Sequence, residues 1–347
     1  MHTPQLRSLR HALGAVAIAT TALLCTSQAL AYSNVFIFGD SLSDSGNNGL
    51  ILGFPMGVPQ PITSDSYIPS LPYTPAATYS NGPVWATSFA SGLGLSAAPS
   101  RAGGTNFAFG GARVAVNGND VPTLPGFPFS LNAQVGQMLG ARGGVAPSNS
   151  LYVIAGGGND ARAALGALAS LGPNPTPLQT IRTISLASSQ FAINVGNIVD
   201  TLQAAGAQHI VVWNAPNLGA APAVAVQGPG AVSLGTTLAA SMNDALNYRL
   251  SFESGVTTFD LFGLVGQVVA NPAAFGLSNV TNACVAGVCM NDSSYLFWDG
   301  IHPTAAGHEL IATAMLAAPL PIPEPATILL MAFGVAGLLA WRRRAVD

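Results

Sequence analysis

Three apolar runs of strand length, "VFIF" (35–38), "LYVIA" (151–155) and "HIVVWN" (209–214), show no alternation of polar and apolar residues. A strand with one wet face alternates; a strand covered on both faces does not, and that double cover belongs to parallel sheets flanked by helices. "NFAF" (106–109) has the same character, and "VTTFDLF" (256–262) is a weaker fifth run. Between the runs lie helix-like segments at 82–94, 132–142, 180–206 and 231–252. In the third of these, Ile184, Phe191, Val195 and Ile198 fall near one helical stripe, and Gly206 is a stop signal. Alternating strand and helix predict an α/β doubly wound sandwich with right-handed crossovers.

The two ends have a different composition. Residues 1–31 carry Arg7 and Arg10, then the apolar run "HALGAVAIATTALLC", then "SQALA" with small residues at Ala29 and Ala31. This order is that of an export signal peptide, with cleavage expected after Ala31. At the other end a Pro-rich spacer leads into an uncharged run, Ala326 to Trp341, followed by Arg342, Arg343 and Arg344. The run is a little short of the ~20 residues that cross a bilayer untilted, but Trp341 and the arginines are interface anchors. A transmembrane helix is expected there, its arginines on the cytoplasmic side and the body on the far side. The tail resembles the PEP-CTERM sorting signal, with "PEP" at Pro323-Glu324-Pro325. That resemblance implies processing by an exosortase-type sorting enzyme in a Gram-negative bacterium, and a place at the cell envelope, at the surface or outside the cell. A plain membrane anchor is the alternative.

The body between them, 32–320, is long enough for one large α/β domain. It holds six Arg against twelve Asp and Glu, and the whole chain has no Lys. An acidic surface of this kind argues against a nucleic-acid partner. Cys284 and Cys289 are the only cysteines outside the signal peptide. In an oxidising compartment they most simply form a small disulfide loop, because "NACVAGVCMND" offers no further metal ligand at a familiar spacing. The Pro-rich stretch 49–78 is long for a loop. It is either a lid or wall of a substrate pocket, or a surface excursion without a role.

Four polar clusters sit where ligands of open parallel sheets bind, beyond the carboxyl ends of strands: "GDSLSD" after the first run, "GGAR" after the second, "GGGND" after the third, and "DGIHPT" before the last helix. Asp299 and His302 are three residues apart. A carboxylate there can hold one imidazole nitrogen and leave the other as a base toward a serine hydroxyl, which is a poor nucleophile unaided. His209 opens a strand and is read as structural, and His308 is read as a surface residue of the last helix. A metal site of His302, His308 and Glu309 lacks the i, i+4 spacing it would need. Donors for an oxyanion, each worth roughly 3 kcal/mol, are the Ser41 amide, a glycine amide of "FGGAR" and the side chain of Asn159. Asn159 also suits a plain turn.

These blocks, "FGDSLSDSGN", "NFAFGGA", "GGGND" and "WDGIHPT", in this order across residues 33–316, resemble the GDSL-type lipases/esterases of the SGNH hydrolase superfamily. The resemblance implies a flavodoxin-like three-layer sandwich with a parallel sheet of about five strands. It implies Ser41 as nucleophile, His302 as base and Asp299 as its orienter, with Gly111, rather than Gly110, and Asn159 completing the oxyanion hole beside the Ser41 amide. Asp40 and Asp44 then shape the turn. No G-x-S-x-G surrounds Ser41, which separates the chain from the α/β-hydrolases. The expected activity is cleavage of a carboxylic ester (lipid, phospholipid or acetyl) through an acyl-enzyme, with no metal or organic cofactor. The alternatives are an acyltransferase using the same residues and a non-catalytic surface module that keeps the fold.

Overall fold

The computed structural model describes residues 32–53, 61–73, 75–285, 288–289 and 293–321. The expectations for the signal peptide, 1–31, and for the apolar run Ala326–Trp341 lie outside the described residues. In chain order the elements are β1 (Val35–Gly39), α1 (Asn47–Leu52), α2 (Trp85–Gly92), α3 (Leu131–Gly140), β2 (Leu151–Ala155), α4 (Gly158–Ala169) and α5 (Pro177–Ala204). They continue with β3 (His209–Trp213), α6 (Pro222–Ala225), α7 (Pro229–Leu250), β4 (Val256–Phe259), α8 (Leu261–Ala270) and α9 (Ala305–Ala317). The four strands form one parallel sheet in the order β1-β2-β3-β4, with Val35 opposite Leu151, Leu151 opposite His209 and Ile210 opposite Val256.

The period of two along each strand sorts its side chains into two cores. Phe36, Phe38, Tyr152, Ile154, Ile210 and Val212 face one layer, built from α3, α4, α5 and α7, with Leu131, Phe191, Val195 and Leu238 among their partners. On the opposite face Trp213 meets Trp85 of α2 at 4.4 Å between ring centroids, and its indole N–H points to Met315 Sδ of α9 at 3.2 Å. Each fully buried Phe or Leu of these layers contributes about 1.5–3 kcal/mol by leaving water. The two faces explain why the strands read as unbroken apolar runs.

Three local differences from the sequence reading have identifiable causes. The run 106–109 is not a strand of the sheet. It lies along β1, with Ile37 N–H donating to Thr105 O, and Phe107 N–H and Phe109 N–H to Ile37 O and Gly39 O. Amide side chains claim several of its other backbone groups: Asn47 Nδ2 donates to Asn106 O and Ala108 O, and Asn106 Oδ1 accepts from Ala108 N–H. The sheet therefore has four strands rather than about five, and this segment lies along its β1 edge. "VTTFDLF" splits at Asp260, whose carboxylate accepts from Gly263 N–H at 2.8 Å and starts α8. The long helix begins at Pro177, earlier than expected, because Thr176 and Gln179 form a reciprocal capping box.

Cys284 and Cys289 are joined in a disulfide, with Cα atoms 5.4 Å apart, and both are buried beside Ile62, Tyr73 and Trp298. This places part of the Pro-rich stretch inside the fold rather than on its periphery. The described residues from Ser33 to Pro321 form one compact unit.

Candidate active site

β1 ends at Gly39, where an added Cβ would stand 2.6 Å from Ala155 O of the neighbouring strand. Only glycine permits that approach. Gln134 of α3 fastens the strand end, accepting from Gly39 N–H at 2.9 Å and donating to Gly39 O at 2.8 Å. The chain then turns sharply through Asp40–Asp44, with Asp40 O accepting from both Ser43 N–H and Asp44 N–H. Ser41 stands at this turn, beyond the carboxyl end of the strand.

Ser41 and the "DGIHPT" block, far apart in sequence, meet here. Ser41 Oγ lies 2.7 Å from His302 Nε2, and His302 Nδ1 lies 2.7 Å from Asp299 Oδ2. The relay is nearly closed to solvent, with Asp299 at 0% and His302 at 3% exposure. Asp299 Oδ1 accepts from the Ile301 and His302 amides at 2.9 and 2.8 Å. With a carboxylate on Nδ1, that nitrogen carries the proton and Nε2 presents a lone pair to the serine.

Asp40 and Asp44, the acidic pair around the serine, hold the backbone and touch neither reacting group. Asp40 accepts from Leu42 N–H at 3.0 Å, and its burial pushes its pKa up to about 6. Asp44 accepts from Gly46, Asn47, Asn48 and Gly110 N–H, which ties the start of α1 to the "GGAR" block. That bond also distinguishes the two glycines. The Gly110 amide is taken, whereas neither Gly111 N–H nor Ser41 N–H donates to any described residue. Gly111 sits at φ 84°, in the region that favours glycine.

Asn159 lies in the first turn of α4, which starts after Gly157 in a left-handed conformation. Its Nδ2 donates to Ala112 O at 3.0 Å, and Arg162 Nη1 donates to its Oδ1 at 3.1 Å. A guanidinium has no acceptor, so it fixes which end of the amide is the oxygen. The NH2 group is thereby turned toward the side on which Gly111 lies. Ser41, Gly111, Asn159 and His302 all line one cavity of about 590 Å³. Ile68 and Leu71, from the Pro-rich stretch, form part of its wall.

One histidine departs from its sequence reading. His308, expected on the surface, is 1% exposed, because α9 turns this face toward the fold; both its ring nitrogens lack partners among the described residues. Burial, with His302 nearby, pulls its pKa down to about 3, so it stays neutral. The site also includes residues that no local pattern announced. Tyr73 donates its hydroxyl to Asp299 Oδ2 at 2.9 Å, and the Tyr79 ring lies 5.2 Å from that of His302. Arg162 was invisible for the same reason: an arginine in a helix has no signature of where it points.

Comparison with known proteins identifies the family. The GDSL-like Lipase/Acylhydrolase family matches residues 35–315, and the PEP-CTERM protein-sorting motif matches 321–344. Lipase 1 of Photorhabdus luminescens is 27% identical, over 88% of this chain and 52% of its own length. Esterase EstA of Pseudomonas aeruginosa is 27% identical, over 83% of this chain and 47% of its own. A GDSL esterase/lipase of Arabidopsis thaliana is 25% identical, over 81% of this chain and 88% of its own. The chain spans about half the length of several of the relatives it matches. With the family match running through every segment that builds the relay, the chain belongs to the GDSL-like lipase/acylhydrolase family.

Proposed function

We propose that this protein is an exported, surface-retained serine esterase that cleaves carboxylic esters through an acyl-enzyme on Ser41. The observation that carries the reading is the buried relay from Ser41 Oγ through His302 to Asp299, facing a cavity with two unengaged amides. His302 Nε2 takes the Ser41 proton as Oγ attacks the ester carbonyl. The oxyanion forms against Ser41 N–H, Gly111 N–H and Asn159 Nδ2. Its collapse expels the alcohol, protonated by His302. A water deprotonated by the same nitrogen then attacks the acyl-enzyme and frees the acid. The sorting motif supports export and exosortase processing; in this reading 1–31 is removed, 32–320 does the chemistry and 321–347 is the sorting tail with its membrane helix.

The cavities favour an ester with an apolar chain over a bare acetyl group. A second cleft of about 530 Å³, lined largely by apolar residues such as Leu165, Leu168, Val224 and Leu234, shares Ile68 and Arg162 with the first. An acetyl group would leave it empty, whereas an aliphatic chain would bury about 25 cal/mol of stabilisation per Å².

The test uses the full chain in detergent micelles, wild type and Ser41→Ala, with p-nitrophenyl esters of short, medium and long acyl chains. Wild type hydrolyses the medium or long esters fastest, and Ser41→Ala loses about 10⁴-fold or more of kcat. An unchanged Ser41→Ala would overturn the esterase reading, and a preference for acetyl would overturn the role of the second cleft.

A further inference from the structure

We propose that Tyr73 is a positioning residue of the relay, holding the Asp299 carboxylate through its hydroxyl, so that part of the Pro-rich stretch belongs to the catalytic machinery. The inference rests on the esterase reading above and goes beyond it, because Tyr73 lies outside all four blocks that carry that reading.

Asp299 is fully buried, and among the described residues its only ion-pair partner is His302. A carboxylate there must find its stabilisation in hydrogen bonds. Oδ1 receives two backbone amides of its own loop; Oδ2 receives His302 Nδ1 and the Tyr73 hydroxyl. Backbone amides alone fix one oxygen and leave the other turned toward a single partner. The phenol supplies the second fixed point on Oδ2, which sets the plane in which the imidazole is held.

The phenol is itself held. Tyr73 is 2% exposed, its ring stands edge-on to Trp298 at 5.7 Å, and both pack with Ile62 and the Cys284–Cys289 disulfide. Its N–H donates to Thr78 O at 2.7 Å. The same stretch is bonded both to the Asp299 loop and to the segment leading into the disulfide. Gly300 N–H donates to Tyr67 O at 2.8 Å, and Asp65 accepts from Ala283 N–H at 2.7 Å. At Gly300 an added Cβ would stand 2.7 Å from Tyr67 O and 2.8 Å from Asp65 O, so the two segments are in direct contact. Burial and the Asp299 charge raise the Tyr73 pKa, which keeps the phenol protonated and makes it a donor at every working pH.

A tyrosine that merely fills a core would change stability when altered, but not proton affinity in the relay. A positioning tyrosine changes both rate and pH profile. Its O–H draws charge from Oδ2; without it the carboxylate pulls harder on the imidazolium, and the acid limb of kcat/KM moves to higher pH. The other titratable groups facing the pair are Asp40, Tyr67, Tyr79, Arg162 and His308, and Tyr73→Phe alters none of them.

The experiment compares full-length wild type, Tyr73→Phe, a chain with 3-fluorotyrosine at position 73, and Ser41→Ala, on one p-nitrophenyl ester across pH. Tyr73→Phe is expected to lower kcat about 3- to 30-fold with KM nearly unchanged, and to move the acid limb up by about 0.5–1. Fluorotyrosine, a stronger donor that preserves the packing, is expected to move the limb down. If Tyr73→Phe matches wild type in both rate and limb, or if fluorotyrosine leaves the limb in place when Tyr73→Phe does not fold, the proposal is overturned. The esterase reading survives that result as long as Ser41→Ala is inactive; an active Ser41→Ala overturns that reading instead.

Discussion

Asp44 Oδ2 accepts the Gly110 amide at 3.0 Å, and through this bond the acid three residues after Ser41 holds the glycine block beside it. The same carboxylate takes three more amides at the start of α1. Burial lifts its pKa to about 6 against the pull of these four donors.

Asp44→Asn replaces one acceptor oxygen by an NH2 group that faces N–H donors. Because a buried donor without a partner costs about 1–3 kcal/mol, the variant is expected to lose about 2–4 kcal/mol of stability. It should also lose more than about tenfold in kcat, since the Gly111 amide follows Gly110. Urea unfolding and ester kinetics check both. Wild-type values for each would mean that the carboxylate does not fasten the two segments.

In the proposed mechanism Asn159 is the side-chain donor to the oxyanion, and Asn159→Ala removes it while leaving the relay and both backbone amides in place. By analogy with other single-donor deletions, kcat should fall about 10²–10³-fold with little change in KM. A matching rise in KM with kcat preserved would show that Asn159 binds the ground state rather than the oxyanion.

His308 makes a prediction about stability and pH. Its folded pKa, pulled down to about 3, lies below the ordinary 6.5 it regains on unfolding. Between those values the unfolded chain binds a proton that the folded chain refuses, so stability is intact above about 6.5 and is lost as pH falls toward 3. His308→Leu removes this proton uptake. Thermal unfolding should therefore show a smaller drop in Tm between neutral and mildly acidic pH than wild type shows. Equal drops in the two proteins would place the acid sensitivity elsewhere.

Much of the fold is written in local patterns. The unbroken apolar runs identify β1, β2 and β3, because burial on both faces leaves no place for a polar residue. The capping box at Thr176 and Gln179 could have placed the start of α5, and Asp260 the end of β4, since caps act within one turn. The order of the blocks likewise named Ser41, Asp299, His302, Gly111 and Asn159, which the fold brings to one cavity or to the relay beside it.

Other features depend on which side chains meet across distant segments. "NFAF" has the composition of a strand, but Asn47 and Asn106 occupy its backbone groups, and no periodicity records a bond made across 59 residues. His308 reads as a helix-surface residue until α9 packs it inward. Gly110 and Gly111 read alike as letters; Asp44 engages the Gly110 amide, while the Gly111 N–H has no acceptor among the described residues. Tyr73 reaches Asp299 across 226 residues. The sequence by itself determined β1, β2 and β3, the order of the chemistry and the family. The tertiary structure decided which amide is open, which histidine is buried and which tyrosine stands behind the acid, because burial and long-range hydrogen bonds exist only after distant segments pack.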